Sequence, residues 1–387
     1  MCAIDSRSPW KLGVLFSDTG PTAIIERSQK CGVLLAIHEI NAAGGVAGRM
    51  VEPVLCDPGS VPSEYGRMAE KLIVEDHVRV LIGCYKSSAR KEVLPVVERR
   101  NALFFYPTLY EGFEYSPNVI YGGACPNQNS VPLASYLLEN YGNRFYFVGS
   151  DYIYPRESNR VMRNILRQGG GEVLGEVYLP FDGGPEMFGP VLADIAEKKP
   201  DVIFSTVVGE MTVAFYRAYH AAGHDALKVP IASLTTNEAE IGRIGAEAAA
   251  GNITAAPYFR SIGGEANRRF LENYERQFGK EIMATSCAEA AYFQTRMFAA
   301  ALSKVGRLDT DLLRECLLGS TWDAPQGQVK IDPDNNHTYL HSRIARVDSH
   351  GEFIVQREVV RAVKPDPYLV TPDLNDRRLR LRKTAKS

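Results

Sequence analysis

Hydroxyl and phenol side chains recur in turns that directly follow apolar segments of this sequence. These turns are FSDTGPTA, GCYKSS, YPTLYEG, GSDYIYPRES, STVVGE and SLTTNE. Ser, Thr and Tyr donate and accept hydrogen bonds without carrying a fixed charge. Residues of this kind are common in turns, so any one of these turns alone does not indicate a binding site. Their recurrence at predicted strand ends indicates a pocket for a small, neutral, polar molecule, with tyrosine rings as apolar walls.

The turn GSDYIYPRES places two tyrosines and a proline after the apolar segment RFYFV. We expect Pro155 to stop the turn from continuing as a helix and to hold Tyr152 and Tyr154 at the mouth of a cleft. Their hydroxyls would hold a polar group while the rings cover an alkyl end. The alternative is that both rings simply pack into a core.

Side-chain patterns typical of enzymes are few. The sequence contains no P-loop, dinucleotide fingerprint, nucleophile elbow or H-E-x-x-H motif. His220 and His224 have a spacing that can bind metal on a helix, but Gly223 between them favours a helix end. Cys84 has no evident base nearby, and Glu289 lies among alanines and aromatic residues, so both are expected to be structural. We therefore expect no enzyme, no catalytic residue, no metal site and no cofactor.

Length and composition favour an ordered protein of two lobes. The chain has 387 residues, of which 45% are hydrophobic and 23% charged, and this length exceeds one ordinary core. The formal net charge of −2 gives no general attraction to nucleic acid or anionic membranes. Only the C-terminal segment NDRRLRLRKTAKS is strongly basic, and residues 371–387 are expected to form a solvated or disordered tail.

Cysteine usage and the N-terminus favour a cytoplasmic protein. The seven cysteines are odd in number and scattered, without a C-x-x-C pair, and free thiols fit a reducing compartment. The N-terminal residues lack the basic and apolar regions of a secretory signal. No stretch of about 18 apolar residues occurs that would span a membrane. We therefore expect a cytoplasmic location.

Strand and helix patterns alternate along most of the chain. The apolar segments LGVLF, VRVLIG and ALFFYP predict buried strands, each preceded or followed by an amphipathic helix, and the alternation restarts after YGGACPNQNS. Such a rhythm predicts an α/β fold with two doubly wound parallel-sheet lobes. Ligands of such sheets bind outside the carboxyl ends of the strands, which is where the hydroxyl-rich turns fall.

The motifs GCYKS and GSDYIYPRES, with YGGACPNQNS, IASLTTNEAE and DAPQGQVKI, carry a family resemblance. Across roughly residues 10–370 the chain resembles type I periplasmic-binding proteins. Within these it is most similar to the amide-sensing negative regulators of bacterial aliphatic amidase operons. Receptors for urea and short amides share much of the pattern. Lys86 and Leu109 depart from the family pattern beside the predicted pocket.

The resemblance implies two lobes with a ligand cleft between them. It assigns residues 8–123 and 260–322 to the first lobe and residues 124–257 and 325–370 to the second. It also implies an amide-binding site built from both lobes. The implied ligand-binding residues are Tyr85, Ser87, Tyr106, Thr108, Tyr152, Tyr154, Thr206, Thr235 and Glu238.

For function, the resemblance implies a sensor of short aliphatic amides that controls amidase expression through an RNA-binding antiterminator partner. The alternative is the substrate-binding component of an ABC transporter for urea, short amides or branched-chain amino acids. An amino-acid ligand would need a charged partner for its ammonium group, for which Glu238 or Asp151 could serve. An amidase is the remaining alternative. We also expect a homo-oligomer, and no direct contact with membranes or nucleic acid.

Overall fold

The computed structural model describes residues 8–181 and 183–370, together with the backbone of residues 382–383. The strands are β1 Trp10–Leu15, β2 Val51–Cys56, β3 Val80–Gly83, β4 Leu103–Tyr106, β5 Val119–Tyr121, β6 Arg144–Ser150, β7 Glu172–Leu179, β8 Val202–Thr206, β9 Ile231–Ser233, β10 Ile253–Ala256, β11 Thr321–Ala324, β12 Gly327–Ile331, β13 Thr338–Tyr339, β14 Arg343–Val347, β15 Phe353–Glu358 and β16 Arg382–Lys383. The helices are α1 Ala23–Ala42, α2 Pro62–Val74, α3 Ser87–Arg100, α4 Ser130–Asn140, α5 Ile153–Gln168, α6 Phe188–Lys198, α7 Glu210–Ala221, α8 Glu238–Ile244, α9 Ala246–Ala249, α10 Glu265–Phe278, α11 Ser286–Val305 and α12 Thr310–Leu317.

The described residues form two compact units. The first unit contains residues 8–108, 115–123 and 268–338, and the second contains residues 109–114, 124–267 and 339–370. The parallel α/β architecture predicted from the sequence is confirmed in both units.

The first unit is built on a parallel sheet of strand order β2-β1-β3-β4-β5. Strands β3 and β4 have the sequences VLIG and LFFY, and every residue in them is buried, as expected for strands covered by helices on both faces. A Cβ atom at Gly83 would lie 2.4 Å from the Leu15 carbonyl oxygen. Glycine is therefore required where β3 meets β1, just before the turn that carries Tyr85 and Ser87.

Helices α1 and α11 pack closely beside this sheet. A Cβ atom at Gly32 would lie 2.2 Å from the Ala288 carbonyl oxygen, so the two helix backbones approach each other directly. The buried face of α1 includes Ile25, Gln29 and Val33, which follow one another at four-residue spacing. Gln29 therefore lies between two apolar residues of this stripe, on a buried face that also includes Glu26 and Ser28.

The second unit is built on a mixed sheet of strand order β16-β15-β14-β10-β9-β8-β6-β7. Strands β6 to β10 pair in parallel, whereas β14, β15 and β16 pair antiparallel to their neighbours. Separate apolar clusters cover the two faces of the sheet, one around Phe188 and Phe215 and the other around Phe147 and Phe204. Because β6, β8 and β9 pair in parallel, their carboxyl ends lie at the same edge of the sheet.

The boundaries of the units differ from the predicted lobes near the C-terminal end. The last boundary between units follows Thr338, whereas the family resemblance implied a crossing near Trp322–Pro325. The reason is a set of contacts with β5. The Thr338 hydroxyl donates to the Tyr121 carbonyl (2.8 Å), and the His337 ring stacks on the Tyr121 ring with centroids 4.1 Å apart. Strands β11 and β12, with Thr338 of β13, thereby stay with the first unit.

The basic tail predicted for residues 371–387 lies outside the described residues, except that the backbone of Arg382–Lys383 pairs with β15. Among the helices that the structure describes, none has both the length and the apolar character needed to cross a membrane.

Candidate ligand-binding site

The first unit brings four predicted ligand-binding residues together at the ends of β3 and β4. Tyr85 and Ser87 follow β3, Tyr106 ends β4, and Thr108 lies two residues further on. The Thr108 hydroxyl donates to the Cys84 carbonyl (2.9 Å), and the Tyr106 hydroxyl donates to the Tyr85 carbonyl (3.0 Å). The two turns are therefore bonded to each other by side chains. These four residues are called the first-unit set below.

Every member of the first-unit set is buried within the chain. Tyr106 is fully enclosed, and its ring lies under the Arg90 guanidinium at 4.8 Å. Arg90 also donates to the Ser87 hydroxyl (3.1 Å), one turn along α3 from where Ser87 begins the helix. Tyr106 therefore supports the turn of Tyr85 rather than forming an open wall.

A buried polar network lies beside this set, and the sequence alone did not reveal it. The Glu26 carboxylate accepts hydrogen bonds from the Ser17 amide (2.9 Å), the Thr22 hydroxyl (2.5 Å) and the Tyr65 hydroxyl (2.6 Å). Burial raises the pKa of Glu26 to about 7, although these hydrogen bonds and the nearby Lys86 charge oppose the increase. The Glu26 carboxylate is thus already hydrogen-bonded to residues of its own unit.

A second residue that was not predicted is Gln29 on α1. Its Nε2 atom donates to the Thr108 hydroxyl at 2.8 Å, and its side chain is fully buried. The signal in the sequence was a glutamine at the four-residue spacing of an apolar stripe. That spacing shows which face of the helix is buried, but not which strand-end residue the glutamine meets.

In the second unit, Tyr152 and Tyr154 follow β6 as predicted, but the role expected for Pro155 is wrong. Helix α5 begins at Ile153, before Pro155, with Tyr152 in extended conformation as its N-cap. Proline is compatible with the first turn of a helix because the N–H group it lacks would have no partner within the helix. The tyrosines are therefore placed by the start of α5 and not by a helix stopped at the proline.

Aromatic contacts hold the two tyrosines. The Tyr152 and Tyr154 ring centroids are 6.3 Å apart, and the Phe181 ring lies edge-on to Tyr152 at 5.8 Å. Tyr152 is half-buried, whereas Tyr154 is 4% exposed. Asp151 is exposed and forms an ion pair of 2.7 Å with Arg156.

Three further predicted residues lie at or after the ends of the neighbouring strands β8 and β9. The Thr206 hydroxyl, at the end of β8, donates to the Asn159 side-chain oxygen (2.9 Å), and Thr206 is fully buried. Thr235 follows β9, and its hydroxyl lies 3.2 Å from that of Ser233. Together with Tyr152, Tyr154 and Glu238, these residues are called the second-unit set below.

Glu238 begins helix α8 and is buried. Its Oε1 atom accepts a hydrogen bond from the Arg260 amide (2.9 Å), and burial raises its pKa to about 7. A carboxyl group in this state is partly protonated near neutral pH, so it is a weaker anionic partner than an ordinary glutamate.

The groups considered for catalysis have structural roles. Cys84 is fully buried, and burial raises the pKa of its thiol well above the usual range, so the reactive thiolate is disfavoured. The Glu289 carboxylate accepts from the backbone (3.2 Å) and side chain (2.8 Å) of Gln326. Within the described ranges, no group of three His, Cys, Asp or Glu residues could hold a metal ion. These arrangements give no support to hydrolytic chemistry at these positions.

Two α/β units with polar turns at their strand ends define a class of small-molecule binding proteins. Residues 10–373 match the model of the periplasmic binding protein domain, so the chain belongs to the periplasmic binding protein family. The fold is the type I fold of that family.

Relatives and solved structures agree with this assignment. The chain is 24% identical over 336 residues to the Leu/Ile/Val-binding protein homolog 6 of Brucella melitensis, covering 84% of each chain. A Rhodopseudomonas palustris ABC-transporter solute-binding protein, solved with p-hydroxybenzoic acid, is 25% identical at a TM-score of 0.84. That match covers 95% of this chain and 100% of the other. The Streptococcus pneumoniae branched-chain amino acid binding protein, solved with isoleucine, matches at 19% identity and a TM-score of 0.80, covering 92% of this chain and 100% of the other.

These comparisons correct one prediction. The cytoplasmic location inferred from the cysteines and the N-terminus is wrong, because this family and the ABC-transporter solute-binding proteins it resembles are typically periplasmic. Scattered cysteines predict a reducing compartment only if their thiols are exposed to oxidation, and Cys31, Cys84, Cys125 and Cys287 are buried. The relatives and solved structures named above are binding proteins or their homologs, which is consistent with the expectation that the chain is not an enzyme.

Proposed function

We propose that this protein is the solute-binding component of an ABC transporter and that its ligand is a short aliphatic amide or urea. The first-unit and second-unit sets supply the contacts to the ligand in this proposal. The transport role is supported by the family and by the ABC-transporter solute-binding proteins among its structural relatives. The ligand class is supported by the chemistry of the two sets.

The observation that carries the ligand class is the neutrality of these side chains. Apart from Glu238, both sets consist of tyrosine, serine and threonine residues. The charged groups beside them are engaged within their own units: Lys86 Nζ donates to the Ser60 carbonyl (2.6 Å), Arg90 donates to the Ser87 hydroxyl (3.1 Å), and Asp151 pairs with Arg156. A ligand ammonium group would lose its hydration without gaining a full counter-charge, whereas a neutral amide needs only hydrogen bonds.

A branched-chain amino acid is the second candidate ligand. It is favoured by the names of two relatives, the Leu/Ile/Val-binding protein homolog 6 of Brucella melitensis and the leucine-, isoleucine-, valine-, threonine-, and alanine-binding protein of Pseudomonas aeruginosa. Glu238 would be the partner for the ammonium group. Because the pKa of Glu238 is raised to about 7, this candidate predicts affinity that increases as the carboxyl ionises above neutral pH.

The affinity for an amide can be bounded from its size. Acetamide has four heavy atoms, and a ceiling of about −1.5 kcal/mol per atom gives roughly −6 kcal/mol. This corresponds to a dissociation constant of about tens of micromolar at best. A ligand concentration of about 10 mM should then stabilise the folded protein by roughly 3 kcal/mol.

Thermal unfolding of the purified protein with acetamide, propionamide, urea, leucine and p-hydroxybenzoate tests this proposal. We expect the amides or urea to raise the midpoint, and leucine and p-hydroxybenzoate to leave it unchanged. Ser87→Ala and Tyr152→Ala should reduce the shift. Tyr115→Ala, at a tyrosine that is 47% exposed, is the control and should retain it.

Each contrary result has a definite meaning. A midpoint raised by leucine alone would assign the protein to amino-acid reception. A shift with p-hydroxybenzoate alone would indicate an aromatic-acid receptor, like the structural relative from Rhodopseudomonas palustris. Amidase regulation through an antiterminator rests on the sequence resemblance alone. Co-purification of such a partner, released by amide, would favour that role over transport.

A further inference from the structure

We infer that Gln29 is an additional ligand-binding residue, and that Gln29 and Thr108 present two hydrogen-bond acceptors to the NH2 group of the amide or urea. This inference rests on the proposed function, because it names the part of the ligand that the first unit recognises. It is carried by the bonds around Thr108 and by the burial of Gln29.

The proton on the Thr108 hydroxyl fixes the orientation of Gln29. A threonine hydroxyl has one proton and two acceptor lone pairs. The proton is directed to the Cys84 carbonyl at 2.9 Å. The Gln29 atom at 2.8 Å must therefore be a donor, which is the Nε2 amide. Thr108 then retains one lone pair, so toward a ligand it acts as an acceptor.

The same orientation directs the Gln29 carbonyl oxygen away from Thr108. This Oε1 atom is buried and accepts no hydrogen bond from any residue that the structure describes. A buried polar atom left without a partner costs about 1–3 kcal/mol. A donor that arrives with the ligand would remove this cost. Gln29 Oε1 and Thr108 Oγ1 belong to side chains that are hydrogen-bonded to each other, so the two acceptors lie close together. One NH2 group has two protons and can donate one to each acceptor.

The alternative donor is an ammonium group, which would require an anionic partner when buried. Buried carboxyl groups lie on α1 at Glu26 and on the adjacent α11 at Glu289. The Glu26 oxygens already accept from Ser17, Thr22 and Tyr65, and the Glu289 oxygens accept from Gln326. A neutral NH2 group needs no such partner. The first unit therefore favours the nitrogen end of an amide over the ammonium group of an amino acid.

Isomeric amides provide a direct test in the unmodified protein. Propionamide and N-methylacetamide have the same atoms, but the first carries two N–H protons and the second carries one. Calorimetric titration should give propionamide the tighter binding by roughly 10-fold, the effect of one hydrogen bond to a buried acceptor. Butyramide should likewise exceed its isomer N,N-dimethylacetamide, which carries no N–H proton, by a larger factor.

Gln29→Met removes the acceptor at nearly constant volume. We expect it to weaken propionamide binding by roughly 10-fold while changing N-methylacetamide binding little. Gln294→Met is the matched control, because Gln294 is also a buried glutamine of the first unit, and its Nε2 donates to the Ile120 carbonyl at 3.0 Å. The control should retain the discrimination between the isomers.

The outcomes separate this inference from the proposed function. Equal binding of the two isomers by the unmodified protein overturns the inference, and so does a Gln29→Met variant that keeps the full discrimination. In either case the amide receptor itself still stands. Failure to bind urea or any of the four amides overturns both the inference and the proposed ligand class. The isomer comparison needs no variant, so it decides the matter even if Gln29→Met fails to fold.

Discussion

The first-unit and second-unit sets differ in how they are held. In the first unit, the side chains of Thr108 and Tyr106 donate to backbone carbonyls of the neighbouring turn. In the second unit, Tyr152 is half-buried at the start of a helix and is held by ring contacts with Tyr154 and Phe181. The first arrangement fixes the direction of hydrogen bonds, whereas the second presents apolar surface with hydroxyls attached.

Under the proposed function, this difference would give the two sets different roles in binding the ligand. Preformed acceptors in the first unit would select the polar end of the ligand, because their geometry is set before the ligand arrives. Tyrosine rings in the second unit would cover its alkyl end, because ring contacts tolerate small changes in ligand size. Three predictions test this contrast, beginning with the largest expected effect.

The largest expected effect is a loss of folding stability with rising pH, caused by buried carboxyl groups. This loss should be greater for the carboxyl group in the second unit. Burial raises the pKa of Glu26 to about 7 in the first unit and that of Glu240 to about 8 in the second. Between the unfolded value of 4.5 and the folded value, the folded protein binds more protons than the unfolded chain, so stability falls as pH rises. Each group should contribute a loss of about 1 kcal/mol per pH unit within its window.

Urea unfolding of Glu26→Gln and Glu240→Gln measures this loss. Relative to the unmodified protein, Glu240→Gln should become progressively more stable from about pH 4.5 to 8, and Glu26→Gln from about pH 4.5 to 7. Glu247→Gln is the control, because this side chain is 89% exposed. Parallel pH profiles for all four proteins would contradict the expected contrast.

A smaller effect compares two buried threonines. Thr108→Val removes a hydroxyl that bonds to both Cys84 and Gln29, and we expect amide affinity to fall by at least roughly 10-fold. In Thr206→Val the lost hydroxyl donates to Asn159. Because the second unit is proposed to cover the alkyl end of the ligand, a loss of less than about 3-fold is expected. Calorimetric titration of both variants gives the comparison, and a larger loss from Thr206→Val would reverse the proposed roles.

The smallest effect concerns two tyrosine hydroxyls that bond to backbone carbonyls. Tyr106→Phe removes the bond to Tyr85, and Tyr219→Phe removes a bond of 2.8 Å to Val229 in the second unit. Each should lower the free energy of unfolding by about 1 kcal/mol. Only Tyr106→Phe should also weaken amide binding, because it alone supports a predicted ligand-binding turn. Equal binding by both variants would show that the Tyr85 turn keeps its position without this bond.

Much of the fold could be predicted from local patterns. Apolar segments such as VLIG and LFFY, each buried at every residue, identified the parallel strands, because only strands covered on both faces are apolar throughout. The hydroxyl-rich turns after them marked the strand ends. The start of α5 was misjudged because the expected effect of Pro155 was that of a helix-interior proline, and first-turn positions obey a different rule.

What the sequence by itself determined is the order of its strands and helices and the kind of side chain at each strand end. Tertiary structure alone decided which of these side chains meet. Gln29 and Thr108 are 79 residues apart in the chain. The period of a helix or strand relates only residues within the same element, so it could not predict this contact. Their contact exists because the order β2-β1-β3-β4-β5 and the packing of α1 bring the end of β4 beside that helix. Periodicity is a local property of the chain, whereas a binding site depends on how distant segments pack.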